Sequence, residues 1–310
     1  MQGLTPFRLA PYFRTRVWGF NDLSPWYDYK TDGEPIGEVW LTGEMCAAET
    51  GSLKGESLKE ITAAQGEALL GQGRAGQEFP LLVKILFPKE KLSVQVHPDD
   101  AMAQKYGEPR GKTECWYALD AQPGAEVALG IRPGTTPEQV RTAIQESRLE
   151  ELLNQVPVNT GDMIFVDAGT VHAVGPGAVL LETQQTSDLT YRMYDYGRPR
   201  ELHLEKSLEA MRLATGAGKI TPSNVNGHSV LIDQRYFRVE RWKQALPSAE
   251  NASADVVQLV FVVDGKGTVE GKSFEPISLN RCQLAVIPAG ARDWKITSEG
   301  AAEVIRILPQ

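Results

Sequence analysis

Three short segments with strand-like alternation carry side chains of the metal-binding kind. LSVQVHPDD (92–100) contains Gln95 and His97, GKTECWYAL (111–119) contains Glu114, and GDMIFVDAGTVHAV (161–174) contains His172. Successive side chains of an extended strand point to opposite faces, so Ser93, Gln95 and His97 share one side, and Lys112 and Glu114 likewise share one. Two imidazoles, one carboxylate and one amide converging inside a β-barrel make a nitrogen–oxygen site for a divalent metal. Zinc is the usual tenant where such a site is catalytic, because a coordination position stays open for water or substrate.

The rest of the chain bounds this reading. At 310 residues it suffices for one large domain or two ordinary ones. A formal net charge of -8 argues against nucleic acid or an anionic membrane as the main partner, although local basic residues can still hold a phosphorylated small molecule. The opening MQGLTPFRLAPYF lacks the basic and apolar regions of a signal peptide, and no apolar run approaches the roughly 20 residues that span a bilayer. Cys46, Cys115 and Cys282 are widely spaced and form no CxxC pair, so buried free thiols in a reducing cytoplasm are expected.

Short strands dominate the pattern. EVWLTG (38–43), FPLLVKILFP (79–88), SVQVHP (93–98), TECWYAL (113–119), EVALGI (126–131), DMIFVDA (162–168), residues 170–174 and AVLLETQQ (178–185) all read as β. Helices are expected over 57–71, with Ser57 as cap, Glu60 closing a capping box and Gly71 as the stop. One or two turns are expected over 99–107. Two short helices are expected over 136–156, opened by Thr136 and Pro137, and a further helix over 207–216. TPSNVNGHS (221–229) reads as a linker, which puts His228 outside any site, and His203 in ELHLEK reads as exposed. From Tyr236 onward the chain is nearly all β. NRCQLAVIPAGARDWKI (280–296) weakly repeats GDMIFVDAGTVHAV, with Asp293 falling opposite His172. The fold class is therefore mainly β, with two jelly-roll barrels. The N-terminal barrel, within 1–220, carries the metal and the helical inserts, and 221–310 forms a metal-free second barrel.

These segments resemble the type I mannose-6-phosphate isomerases, zinc-dependent enzymes of the cupin superfamily, in their short bacterial form. RVWG (16–19), EVW (38–40), FPLLVKIL with LSVQVHPDD, GKTECWYAL and ETQQTSDLTYRMYDYGR (182–198) follow the family's order. The resemblance implies one zinc per chain held by Gln95, His97, Glu114 and His172. It implies Arg192 as the active-site arginine, Lys112, Glu182 and Asp188 in the pocket, and Ser93 and Arg198 at the substrate phosphate. The implied reaction interconverts mannose 6-phosphate and fructose 6-phosphate by moving a proton between C1 and C2 through an enediol. Arg192 and Lys112 would stabilise the developing charge, and Glu182 would shuttle the proton, with Lys112 or a water linked to His97 as alternatives. A cytoplasmic monomer or weak homodimer is expected. Two other classes remain at this point: a non-catalytic cupin that binds sugar phosphates, and an iron or manganese oxidoreductase on the same barrel.

Overall fold

Four antiparallel sheets, in the computed structural model, account for most of the ordered backbone; residues 4–243 and 245–310 are described. The first seven-stranded sheet runs, edge to edge, Gly218–Ile220, Met163–Val166, Glu114–Ala121, Ala178–Gln185, Leu81–Leu86, Ile36–Trp40, Tyr12–Phe20. The second runs Phe7–Arg8, Leu284–Ile287, Gln258–Asp264, Glu303–Pro309, Phe237–Trp242, His228–Gln234, Ser223–Val225. In six of the seven positions the two orders correspond, so the weak internal repeat in the sequence extends over both large sheets. The outermost strand of the second sheet, Phe7–Arg8, comes from the other end of the chain.

Each large sheet has a smaller one across an apolar interior. A five-stranded sheet (Tyr191–Tyr194, Val94–Val96, His172–Val174, Glu126–Ile131, Leu153–Pro157) covers the first. Trp116, Ala118, Leu180 and Leu86 pack there against Val127, Leu129 and Val174. A three-stranded sheet (Phe274–Asn280, Lys266–Gly271, Lys295–Thr297) covers the second, over Val260, Val262, Trp242 and Trp294. The two large sheets then stack back to back: Val39, Val83, Ile85 and Leu181 meet Val239, Phe261, Leu284 and Ile307 in one continuous core. Helices Pro137–Gln145 and Leu204–Ala210 close the outer face of the five-stranded sheet over Val94, Val96 and Tyr191. Alternation explains the layering. Along Leu81–Leu86, residues 81, 83 and 85 enter the core between the large sheets, and 84 and 86 face the first interior.

The capping box at Ser57 and the Thr136 cap form as expected, and Gln139 completes a second capping box at Thr136. Four local expectations are corrected. The helix of 57–71 breaks at Gly66, which leaves Leu58–Gln65 and Glu67–Leu70. The second helix of 136–156 shrinks to a 3-10 turn at Leu149–Leu152, and Leu153 opens a strand because Gln155 and Val156 pair with Ala128 and Val127. The helix placed at 207–216 occupies Leu204–Ala210; beyond Met211 the Arg212 N–H is taken by the Gly169 carbonyl instead. The 221–229 linker is a β-hairpin turning at Asn226–Gly227, both with positive φ. Asp293 accepts from the Lys272 N–H, and its neighbour Trp294 is the one that enters the second interior. Among the described residues no helix is long and apolar enough to cross a membrane.

Candidate active site

The first interior changes character along its length. Ala118 and Trp116 give way to Glu114, Leu180 to Glu182, Leu86 to Lys84, and Val174 to His172, each two residues on along its strand. Register brings these changes to one level. Glu182 lies across from Lys84 on one neighbour and Trp116 on the other, while Gln95 lies between His172 and Arg192.

His97, Glu114 and His172 are buried, and their ligand atoms all lie within 4.8 Å of one another. His97 Nε2 stands 3.6 Å from Glu114 Oε2, and His172 Nε2 stands 3.5 Å from Glu114 Oε1. Ligands about 2.1 Å from a common ion at tetrahedral angles are about 3.4 Å apart, so these spacings suit a divalent cation. The tautomers suit it too. His97 Nδ1 donates to the Leu189 carbonyl (2.8 Å) and His172 Nδ1 to the Thr170 carbonyl (2.9 Å), which leaves both Nε2 lone pairs facing inward. Burial, reinforced by the Lys112 charge, holds His97 well below the usual imidazole range, and burial brings His172 down to about 4. Both rings are thus neutral and ready to ligate. His97 Nε2 has no hydrogen-bond partner, and Glu114 Oε2, which it faces, is met by Lys112 Nζ in an ion pair at 3.0 Å. A buried imidazole nitrogen left without a partner and facing a carboxylate fits a cation held by His97, Glu114 and His172. Gln95 turns its Nε2 toward His172 Nε2 at 3.2 Å. To add a fourth ligand its amide must rotate and present the oxygen.

A chain of alternating charges extends from this cluster. Lys112 reaches Glu182 (3.4 Å), Lys84 lies 3.4 Å from Glu182 and 3.6 Å from Glu38, and Arg16 closes on Glu38 at 2.8 Å. All of these but Arg16 are buried. Burial, reinforced by Glu114 and only partly offset by the two lysines, raises the Glu182 carboxyl to about 7. Burial alone would lower Lys112, yet Glu114, Glu182 and Asp188 raise it, so it stays charged.

A cavity of about 350 Å³ opens beside the cluster and is lined by Ser93, Gln95, Lys112, Glu182, Asp188 and Arg192, with Arg16, Trp18, Glu38, Lys84, Thr190 and Arg200. Nine of the ten residues expected from the sequence thus meet at the cluster or its cavity. Arg198 does not: its guanidinium is spent on Asp195 and the Lys91 carbonyl. His203, expected to be exposed, is half-buried and accepts the Arg192 N–H through Nδ1 at 3.1 Å. Lys84, Glu38 and Arg200 were missed. Lys84 carried a readable signal, as the sole charge in the apolar run 79–88, where an unpaired ammonium would be prohibitive. A larger cavity of about 710 Å³ shares Asp188 with this one but brings no metal-ligand set.

Comparison with known proteins establishes the family. Residues 7–137 match the family model for the catalytic domain of type I phosphomannose isomerase. The chain is 36% identical to the mannose-6-phosphate isomerase ManA of Bacillus subtilis, over 97% of this chain and 98% of that one. It is 34% identical to the mannose-6-phosphate isomerase of Streptococcus mutans, over 97% of each. The crystal structure of the mannose 6-phosphate isomerase from Bacillus subtilis superimposes with a TM-score of 0.85 at 31% identity, covering 98% of this chain and 99% of that one. With full-length identity at this level and the same fold, the chain belongs to the type I phosphomannose isomerase family and is an isomerase.

Proposed function

We propose that this protein is a zinc-dependent aldose–ketose isomerase that interconverts mannose 6-phosphate and fructose 6-phosphate. One observation carries the reading: a buried two-histidine, one-carboxylate set lies beside a cavity lined by a further carboxylate, Glu182, whose affinity for protons is raised toward neutral pH. The cavity also suits a phosphorylated sugar in charge. Five cationic and three carboxylate side chains line it, which leaves an excess of two positive charges against a phosphate dianion.

The reaction moves a proton between C1 and C2 through an enediol. His97, Glu114 and His172, with Gln95 as an optional fourth ligand, would hold a zinc ion, which would supply Lewis-acid polarisation of the sugar carbonyl. Glu182 takes the proton from one carbon and returns it to the other; a carboxyl near pH 7 is suited to both steps. Lys112 and Arg192 oppose the negative charge that grows on the substrate oxygen. Ser93, with cationic groups of the cavity, holds the phosphate, and Asp188 orders the sugar. Residues 1–220 thereby form the catalytic unit, and 221–310 form a second, metal-free barrel behind it.

A coupled assay on mannose 6-phosphate tests this. Turnover is expected to vanish with chelator and return with zinc. Glu182→Gln is expected to lower kcat about 10²–10⁴-fold with metal content unchanged. A protein that binds one metal per chain and turns over nothing would instead be a sugar-phosphate-binding protein.

A further inference from the structure

We infer that Arg200, aimed by the buried Asp195, is a guanidinium that binds the substrate's phosphate; this rests on the sugar-phosphate reading above. Asp195 is 3% exposed and grips Arg200 bidentately, accepting from Nε at 2.6 Å and from a terminal nitrogen at 2.7 Å. That grip uses one edge of the guanidinium fork and leaves the other for a second bidentate partner. Arg200 lines the same cavity as Ser93 and Arg192. Arg192 makes no ion pair among the described residues, and its buried Nε has no partner. The three other cations of the cavity are matched by as many carboxylates: Lys112, Lys84 and Arg16 share Glu114, Glu182 and Glu38. Arg200 instead shares its one carboxylate, Asp195, with Arg198, so positive charge that the chain leaves for a ligand lies at Arg192 and at the Arg198–Arg200 pair.

Arg198 is committed elsewhere. Its Nε donates to Asp195 at 3.0 Å, a terminal nitrogen donates to the Lys91 carbonyl at 2.8 Å, and its guanidinium carbon lies 5.4 Å from the centre of the Tyr196 ring. One carboxylate thus anchors two arginines, Arg198 against the protein and Arg200 toward the cavity. Asp195 acts through Arg200 as a positioning residue.

The test uses the zinc-loaded protein and its Arg200→Gln, Arg198→Gln and Asp195→Asn variants. Arg200→Gln is expected to raise KM for mannose 6-phosphate about 10- to 100-fold, the span of one charge-assisted hydrogen-bonded contact, with kcat held within about threefold. Competitive inhibition by inorganic phosphate should weaken by the same factor. Asp195→Asn should show the same split between KM and kcat. Arg198→Gln should move KM by less than about threefold. Equal effects from Arg198→Gln, or unchanged phosphate inhibition in Arg200→Gln, would overturn the assignment. If the parent protein turns over no mannose 6-phosphate, the proposed reaction fails, and calorimetric titration with inorganic phosphate still decides: binding lost in Arg200→Gln supports the assignment, and equal binding refutes it.

Discussion

Glu38 illustrates how a single residue makes a charged interior tenable. It is 6% exposed and accepts from Trp40 Nε1 (2.8 Å) and Arg16 (2.8 Å), with Lys84 at 3.6 Å. Burial alone would raise its carboxyl, but Lys84, Arg16 and the indole donor outweigh burial and hold it at about 2, against an ordinary value of 4.5. A carboxylate whose folded pKa is depressed adds stability that is present above its unfolded pKa and is lost as pH falls toward the folded one. The window here lies below about pH 4.5, and the full contribution is about 3 kcal/mol. By pH 3.5 the parent protein should have lost about 1 kcal/mol of its advantage over Glu38→Gln. Urea unfolding of both at pH 7, 4.5 and 3.5 measures this. A gap that stays constant across that range would mean that Glu38 is not held ionised by its neighbours. The same residue shows why part of the site escaped sequence reasoning. Glu38 and Lys84 lie 46 positions apart in the chain, and no local pattern states that adjacent strands make them diagonal neighbours on one face.

At the scale of elements, the metal cluster depends on how closely two segments approach. The Lys112 N–H donates to the Pro98 carbonyl at 3.0 Å, directly after His97, and this stitches the strand carrying Glu114 to the one ending at His97. Gly111 permits the approach: a Cβ there would sit 2.4 Å from both the Pro98 carbonyl oxygen and the Asp99 carbonyl carbon. Backbone cannot yield cheaply, so Gly111→Ala must push the two ligand segments apart. Metal affinity should fall about 10- to 100-fold, as it does when groups supporting metal ligands are disturbed. Stability of the metal-free protein should fall by about 1–3 kcal/mol. Competition against a chromogenic chelator reads the first and thermal melting the second; parental metal affinity in the variant would show that the spacing is tolerant. What could be read locally and what could not divide along similar lines. Ser57 with Glu60 and Thr136 with Gln139 announce their helices, because a cap is satisfied within four residues. Leu153 looked helical because its apolar spacing suits either structure, and only its pairing partner at Ile131, far upstream, decides for a strand. The Ser223–Val225 hairpin was missed for another reason. Its first strand is exposed throughout, so no apolar alternation marks it, and the Asn226–Gly227 turn signal stood without flanking strands.

Across the whole molecule, the shared strand order gives the second barrel a counterpart of the site. Arg306 lies across from Glu240 where Glu182 lies across from Lys84, and Gln258 takes the place of Glu114, two residues before the partner of the central charge. Signs are inverted and the guanidinium is fully engaged: Arg306 donates to Gln258 (2.7 Å), Glu240 (2.9 Å) and the Ala252 carbonyl (2.7 Å). A guanidinium there satisfies the surrounding carboxylate and amide from within the chain, whereas the first barrel sets two imidazoles around its carboxylate and leaves His97 Nε2 without a partner. The sequence pointed to the unequal halves, since ligand-type segments occur only in the first, but gave no sign of the layer that joins them. That layer has mechanical consequences. The two large sheets bury one continuous core between them, and Phe7–Arg8 of the first half completes the second sheet. Neither half then keeps its core when the other opens, so the metal-free protein should unfold in a single transition with calorimetric and van't Hoff enthalpies equal. Phe261 is fully buried in that layer, on the second half's side. Phe261→Ala should cost about 3–5 kcal/mol and lower the melting of both halves together. Bound zinc should raise the same single transition, by mass action on the folded state. Differential scanning calorimetry with and without zinc reads all three. Two resolved peaks, with only the later one responding to zinc, would show that the halves are independent and that the shared layer does not couple them.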